Sequence, residues 1–254
     1  MLIFLDIDGT LLNSNNTIDK ETLEIVSKVN LENEIILTSA RKPSSTKSIA
    51  HQLQIKEKII VCYNGALIIE GKKKILEYPL PTNEVLYIYN YAKKYNVSIN
   101  IYCDDIWFAQ TIDELVLQES QIVHEEPFLI SNNLEKLTVH KILLISHERE
   151  LSFLKSRLSI LDNLIFCNSK KGYLEITCSK ANKKNAFEFL LKYLSYDRSN
   201  TLAVGDGYND IELLKGAQIG IAMGNAPSEV KKIADYITSS NDDNGVAYAL
   251  RRFL

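Results

Sequence analysis

The sequence predicts an α/β protein, a parallel-sheet core interrupted by an inserted α+β module, from three observations. Short apolar runs at about 2–5, 35–38, 59–62, 201–204 and 219–222 alternate with helical patterns, and such βαβ alternation builds a parallel sheet with helices on both faces. Between about 81 and 179, short strand-like runs come in pairs and the helical patterns stand apart from them, as in an α+β layer. Acidic clusters follow the runs at 2–5 and 201–204, at the carboxyl ends where open α/β sheets place their ligand crevice.

Leu2-Ile3-Phe4-Leu5 is short, bounded and wholly apolar, the pattern of a strand buried on both faces. It runs into Asp6-Ile7-Asp8-Gly9-Thr10. Two carboxylates two residues apart in an extended segment face the same side and repel, so a positive group is needed near them, and a hard oxygen-seeking cation such as Mg²⁺ is the simplest. Read alone, Asp8-Gly9 is equally a tight turn with Gly9 at positive φ. A helix is predicted near 20–29, with Leu23, Val26 and Val29 on one side. The next strand, Glu34-Ile35-Ile36-Leu37, ends in Thr38-Ser39-Ala40-Arg41, and a helix starts near Pro43. The Ser39 hydroxyl and the free N–H groups of that helix start form an anion cradle; Ser and Pro also simply mark a helix start. Lys72-Lys73-Lys74, between Ile68-Ile69 and Ile75-Leu76, reads as a solvated hairpin tip.

Pro79-Leu80-Pro81 is a stiff extended linker into the module. Inside are a helix near 83–95, strands near 98–102, 106–108 and 141–145, a helix near 148–159, and strands at 164–167 and 173–177. Cys178 to Asn182 is the exit. The expected division is therefore 1–80, 81–179 and 180–254. The module is expected to act as a lid, with Asp105, His140 and Cys178 as candidate contacts to a leaving group, though each reads more readily as a simple structural residue. Lys183 then precedes the helical pattern Ala186, Phe187, Leu190, Leu191, Leu194. A lysine at a helix start is disfavoured by the dipole, which suggests a task for it; beside Lys180 and Lys184 it also reads as part of a solvated loop. The strand Thr201–Gly205 ends in Asp206, and Gly207-Tyr208-Asn209-Asp210 leads into Ile211, Leu213 and Leu214. Asp206 can complete a metal site with Asp6 and Asp8. Asp210, near a helix start, can orient a group beside the metal.

Composition narrows the function classes. The chain has 254 residues, 46% hydrophobic and 24% charged, with a net charge of −3. That is an ordinary globular composition without a basic footprint for nucleic acid. Leu2–Leu5 is too short for a signal peptide, and no apolar run approaches the roughly 20 residues that span a bilayer. The four cysteines, Cys62, Cys103, Cys167 and Cys178, have no metal-ligand spacing; three lie in or beside strand-like runs and are expected to be buried thiols. His51, His124, His140 and His147 show no ligand spacing either. A reduced, cytoplasmic chain that is a monomer or weak homodimer is expected, with no nucleic-acid or membrane partner.

Asp6-x-Asp8-Gly9-Thr10, Ser39, Lys183 and Gly205-Asp206-x-x-Asn209-Asp210 together resemble the haloacid dehalogenase superfamily of phosphotransferases. Asn64-Gly65-Ala66, Met223-Gly224-Asn225-Ala226, Ala234-Asp235-Tyr236-Ile237-Thr238 and Asn244-Gly245-Val246 look like its Cof-type phosphatase branch, which carries a type IIB α/β cap. The resemblance covers nearly the whole length and is weakest at about 82–170. It implies a Rossmann-like three-layer core and a Mg²⁺-dependent phosphatase acting on a small phosphorylated metabolite. Asp6 would be the nucleophile, forming an aspartyl-phosphate, and Asp8 the general acid and base. Asp6, Asp8 and Asp206 would hold the metal, joined by the Ile7 carbonyl. Ser39, Lys183 and Asn209 would bind phosphate, and Asp210 would orient the metal shell or the lysine. Ala40 and Lys184 depart from the branch, which commonly has glycine at both places. A phosphomannomutase-like phosphotransferase and a non-enzymatic phosphoryl-binding regulator are the alternative functions.

Overall fold

The structure is a computed structural model of the chain; it describes all residues except 56–58, 124, 131–132 and 169. The first core segment contains β1 (Leu2–Asp6), α1 (Lys20–Val29), β2 (Glu34–Thr38), α2 (Pro43–Gln52), β3 (Ile59–Cys62), β4 (Leu67–Glu70) and β5 (Lys73–Glu77). The module contributes α3 (Thr82–Ala92), β6 (Ser98–Cys103), β7 (Ile106–Ala109), α4 (Glu114–Val123), β8 (Phe128–Leu129), β9 (Lys141–Ile145), α5 (Glu148–Leu158), β10 (Leu164–Cys167) and β11 (Tyr173–Cys178). The second core segment contains α6 (Lys183–Tyr193), β12 (Thr201–Gly205), α7 (Ile211–Gly216), β13 (Ile219–Ala222), α8 (Ser228–Ile233), β14 (Tyr236–Ile237) and α9 (Gly245–Phe253). The chain divides into two compact units, Met1–Leu76 with Asn182–Leu254, and Glu77–Ala181.

The core unit is built on a sheet of order β14-β13-β12-β1-β2-β3-β4-β5. β1 lies between β12 and β2 and runs parallel to both, with Leu5 opposite Val204 and Leu37, and Asp6 opposite Thr38. All five β1 residues are buried, and their alternation divides the core into two faces. Ile3 and Leu5 pack with Val26 of α1, Ile49 of α2 and Leu250 of α9. Leu2 and Phe4 pack with Ala186, Phe187 and Leu190 of α6, and Phe4 meets the Phe187 ring edge-on at 5.0 Å. Apolar burial at about 1.5–3 kcal/mol per large side chain thus fixes β1 in the middle layer and brings the ends of β1, β2 and β12 side by side. The fold class agrees with the α/β parallel-sheet prediction.

The module unit is a sheet of order β10-β11-β9-β6-β7-β8, antiparallel except for the β7–β8 pair. One face is apolar: Ile99, Ile101, Ile142, Leu144, Leu174 and Ile176 pack under Val85 and Ile88 of α3 and Leu151 and Leu154 of α5. The other is polar and aromatic, with the Trp107 indole N–H donating to Asn100 Oδ1 at 2.9 Å and Lys141 3.5 Å from Glu175.

Several elements went beyond the sequence reading. Gly71-Lys72 forms the tip between β4 and β5, and β5 already begins at Lys73, so Lys73 and Lys74 belong to a strand. Helix α4 was not anticipated because it buries Val116 and Glu119 while exposing Leu117 and Ile122, which leaves no apolar stripe to read. Cys167 is exposed rather than buried, because its end of β10 lies at the sheet edge. His124 lies outside the described residues. No helix among the described residues is long and apolar enough to cross a membrane.

Candidate active site

β1 ends at Asp6, and the chain then turns: the Ile7 carbonyl accepts the N–H groups of Leu11 and Leu12, each at 3.0 Å. A carbonyl oxygen has two lone pairs, so these bonds leave the Ile7 oxygen, expected among the metal ligands, committed to the turn. Gly9, at φ 77°, lies so close to Asp206 that a side chain there would run into its carboxylate. Thr10 Oγ1 donates to Asp206 Oδ1 at 3.0 Å. The end of β12 is thereby fixed against the loop after β1. Asn225 Nδ2 donates to the Gly9 carbonyl at 2.8 Å and Asn241 Nδ2 to the Leu12 carbonyl at 2.9 Å, which ties that loop from the other side.

The buried Lys183 is the first residue of α6, whose N-cap is Asn182, with Oδ1 accepting the Asn185 N–H at 2.8 Å. Its ammonium donates to Asp6 Oδ1 and, at 2.5 Å, to Asp210 Oδ1. Asp210 Oδ2 in turn accepts the Asp206 and Gly207 N–H groups at 3.2 and 2.9 Å. Asp210 therefore orients the lysine and the loop after β12. Carboxylate oxygens of Asp6, Asp206 and Asp210 lie within 4.8 Å of one another. This all-oxygen anionic donor set fits a hard divalent cation, and with Asp210 engaged by Lys183 and the two amides, Asp6 and Asp206 are the residues that would hold it.

Asp8, expected to share that cation, is placed differently. Its carboxylate takes a two-pronged contact from Arg41, with Nε at 2.9 Å from Oδ2 and Nη2 at 2.5 Å from Oδ1. Arg41 also donates through Nη1 to Ser45 Oγ at 3.2 Å, and its backbone N–H donates to Ser39 Oγ at 3.1 Å. Ser39 is fully buried; its oxygen is oriented by that amide and its hydroxyl hydrogen remains a donor. Asn209 lies on the loop after β12, with Nδ2 donating to Asn64 Oδ1 at 3.0 Å.

The profile of the haloacid dehalogenase-like hydrolase family matches residues 3–250. The chain belongs to that family. A haloacid dehalogenase-like hydrolase from Bacteroides thetaiotaomicron superposes with a TM-score of 0.92 at 30% identity, across 100% of this chain and 99% of its own. Two Bacillus subtilis enzymes are similar along their whole lengths. The 5-amino-6-(5-phospho-D-ribitylamino)uracil phosphatase YitU is 27% identical over 264 residues, covering 99% of this chain and 97% of its own. Phosphatase YwpJ is 28% identical over 284 residues, covering 100% and 99%. The chain is thus a hydrolase of the family's phosphatase class, of Cof type.

The electrostatics of the Asp6, Lys183, Asp206 and Asp210 cluster follow from its burial. Burial raises the Asp6 pKa well above the usual carboxylate range, against the pull of Lys183, and the neighbouring Asp210 and Asp206 add to the rise. Burial opposes the charge on Lys183, but Asp210 and Asp6 outweigh it and raise its pKa. Asp206 is pushed up to about 6, by burial first and then by Asp210. A carboxylate raised from 3.8 to about 6 holds its proton in the folded chain after the unfolded chain has lost it, so stability falls as pH rises between about 4 and 6. At 1.36 kcal/mol per unit the loss is at most roughly 3 kcal/mol. A cation held by ionised Asp6 and Asp206 would oppose it. Addition of MgCl₂ to EDTA-treated protein is therefore expected to raise the thermal midpoint more at pH 7.5 than at pH 5; equal shifts at the two pH values would count against this site.

Two residues that the structure brings to this cluster, Arg41 and Asn64, were not among the sequence candidates. Arg41 could have been found by its place two residues after Ser39, at the end of a core strand. Asn64 was visible only as part of Asn64-Gly65-Ala66. Of the module candidates, Asp105 is exposed, Cys178 is half-buried and His140 is fully buried. His140 Nδ1 accepts the Asp104 N–H at 3.0 Å, so the ring hydrogen is on Nε2, which faces Glu77 Oε1 at 3.0 Å. Both nitrogens are engaged within the module, in line with the structural role that was the other reading of His140.

Proposed function

We propose that the chain is a Mg²⁺-dependent phosphatase of small phosphomonoesters, sugar phosphates or phosphorylated cofactors, working through an aspartyl-phosphate on Asp6. The supporting observation is the buried Lys183 ammonium bonded to both Asp6 and Asp210, with Asp206 beside them. It gives one carboxylate at a strand's end a cationic neighbour that can also meet a phosphoryl oxygen. The substrate class is supported by YitU, whose named substrate is a phosphorylated ribityl compound.

Asp6 attacks phosphorus; the Asp6 oxygen–phosphorus bond forms as the bond to the leaving oxygen breaks. Asp8 gives a proton to that oxygen. Asp8, now a carboxylate, takes a proton from the water that attacks the aspartyl-phosphate and releases inorganic phosphate. Arg41, which pairs both Asp8 oxygens, favours the carboxylate form in which Asp8 acts as base in the second transfer. Ser39, Lys183 and Asn209 donate hydrogen bonds to the phosphoryl oxygens. Asp6 and Asp206 would hold Mg²⁺, which would supply positive charge to offset repulsion between the carboxylate and the phosphate dianion. Phosphate-monoester hydrolysis can be accelerated by up to ~10²¹, roughly 29 kcal/mol. Positioning supplies about 7–11 kcal/mol, which leaves charge stabilisation and the covalent step to supply the rest.

The test is phosphate release from an aryl phosphate. Release is expected to need Mg²⁺, to stop with EDTA and to be indifferent to added glucose bisphosphate, which a mutase would require. Asp8→Asn should slow release, and slow it more for an alkyl than for an aryl leaving group. Full recovery of Asp8→Asn in excess Mg²⁺ would reduce Asp8 to a metal-affinity role and remove the acid–base assignment.

A further inference from the structure

Tyr63, Asn64 and Gly65, directly after β3, have φ values of 53°, 56° and 105°. Three successive left-handed residues, two of them not glycine, are sparsely populated backbone that the surroundings must hold. What holds them is the phosphoryl end of the site. The Tyr63 N–H donates to the Arg41 carbonyl at 3.1 Å and the Asn64 N–H to the Ser39 carbonyl at 2.8 Å. Asn64 Oδ1 accepts from Asn209 Nδ2 at 3.0 Å. A side chain at Gly65 would come within 2.6 Å of the carbonyl oxygen of Asn182, the N-cap of the helix that begins with Lys183. One strained turn therefore touches the loop carrying Ser39, the side chain of Asn209 and the residue before Lys183. Those are the elements that carry the three proposed phosphoryl contacts.

We infer that Asn64 is the positioning residue of the phosphate-binding end, setting the Asn209 amide through its side chain and the Ser39 loop through its backbone N–H. The inference rests on the reading of Ser39, Lys183 and Asn209 as phosphoryl contacts. The Asn209 amide is held at its nitrogen end, and the missing side chain at Gly207 leaves room for its oxygen. Its oxygen lies where a side chain on Gly207 would collide with it, and one of its two Nδ2 hydrogens goes to Asn64. The other Nδ2 hydrogen is the remaining donor, and its direction is set by the bond to Asn64. Left-handed backbone explains why asparagine stands at 64: it tolerates that conformation better than most residues and still carries an acceptor.

The probe is inorganic phosphate, titrated calorimetrically into full-length protein in Mg²⁺ buffer. Asn64→Gly keeps the backbone conformation and removes only the amide, so its thermal midpoint should not fall. Its phosphate affinity should weaken about tenfold, ~1.4 kcal/mol. Asn209→Ala should show a similar loss, and the double variant should lose little more than either alone, since both remove one coupled contact. A purely structural role would leave phosphate affinity within about twofold of wild type. That result, or losses that multiply in the double variant, would overturn the inference. Unchanged affinity in Asn64→Gly alongside abolished binding in Lys183→Ala would overturn it and leave the proposed function standing. Absence of phosphate binding by the wild-type protein would overturn both.

Discussion

Asp6→Asn is expected to remove essentially all turnover while leaving the chain folded. Asparagine matches aspartate in shape but cannot form the acyl phosphate, so no covalent step remains. The same change relieves the folded state: Asp6 is buried beside Asp206 and Asp210, and burial raises its pKa, which means the charged form is costly there. Lys183 keeps its bond to Asp210. The thermal midpoint of Asp6→Asn should therefore equal or exceed that of wild type at pH 7.5, where activity is lost; a site that gives up stability for function behaves this way. Single-turnover rates with an aryl phosphate measure the first effect and thermal melts the second. A residual rate above about a hundredth of wild type, a loss of only ~2.7 kcal/mol, would show that Asp6 is not the nucleophile.

The sheet was legible because β1, β2, β3, β12 and β13 are short apolar runs, most of them closed by polar residues, and such runs have few other ways to bury themselves. The carboxylates at strand ends were legible for the same reason: once β1 and β12 are placed side by side, Asp6 and Asp206 must be near each other. The arrangement of Asp8 was not. Its spacing from Asp6 suggested a shared face, but that period of two holds only while the strand continues. β1 stops at Asp6, the Ile7 carbonyl closes a turn, and Asp8 swings to Arg41. Asn64 was hidden because its importance lies in a backbone conformation and in contacts to residues 25 and 145 positions away. Helix α4 was hidden by its own composition, which buries a glutamate and exposes leucine and isoleucine.

Lys183, Lys184 and Lys180 share one short stretch of sequence, yet they are expected to differ sharply on substitution. Lys184 is about half exposed and meets Glu212 at 3.3 Å; a surface pair of this kind contributes about 0–1 kcal/mol. Lys183 is fully buried, and its ammonium is bonded to Asp6 and Asp210. Lys183→Ala leaves two buried carboxylates without their cation, a change that costs about 3–5 kcal/mol when a buried pair is broken. Part of that cost is recoverable by protonation. Removing the lysine removes the interaction that opposes the raised pKa of Asp6, so the variant should bind protons more readily when folded than when unfolded, and its stability deficit should shrink as pH falls from 7.5 toward 5. Activity should not return with the stability, because the donor to the phosphoryl group is gone. Urea melts of the three alanine variants at both pH values, with turnover measured beside them, test both halves. Equal losses in Lys180→Ala, Lys183→Ala and Lys184→Ala would mean a diffuse basic rim and would remove Lys183 from the site. A Lys183→Ala deficit that did not change with pH would show instead that the cost lies in lost packing rather than in the unpaired buried carboxylate charges.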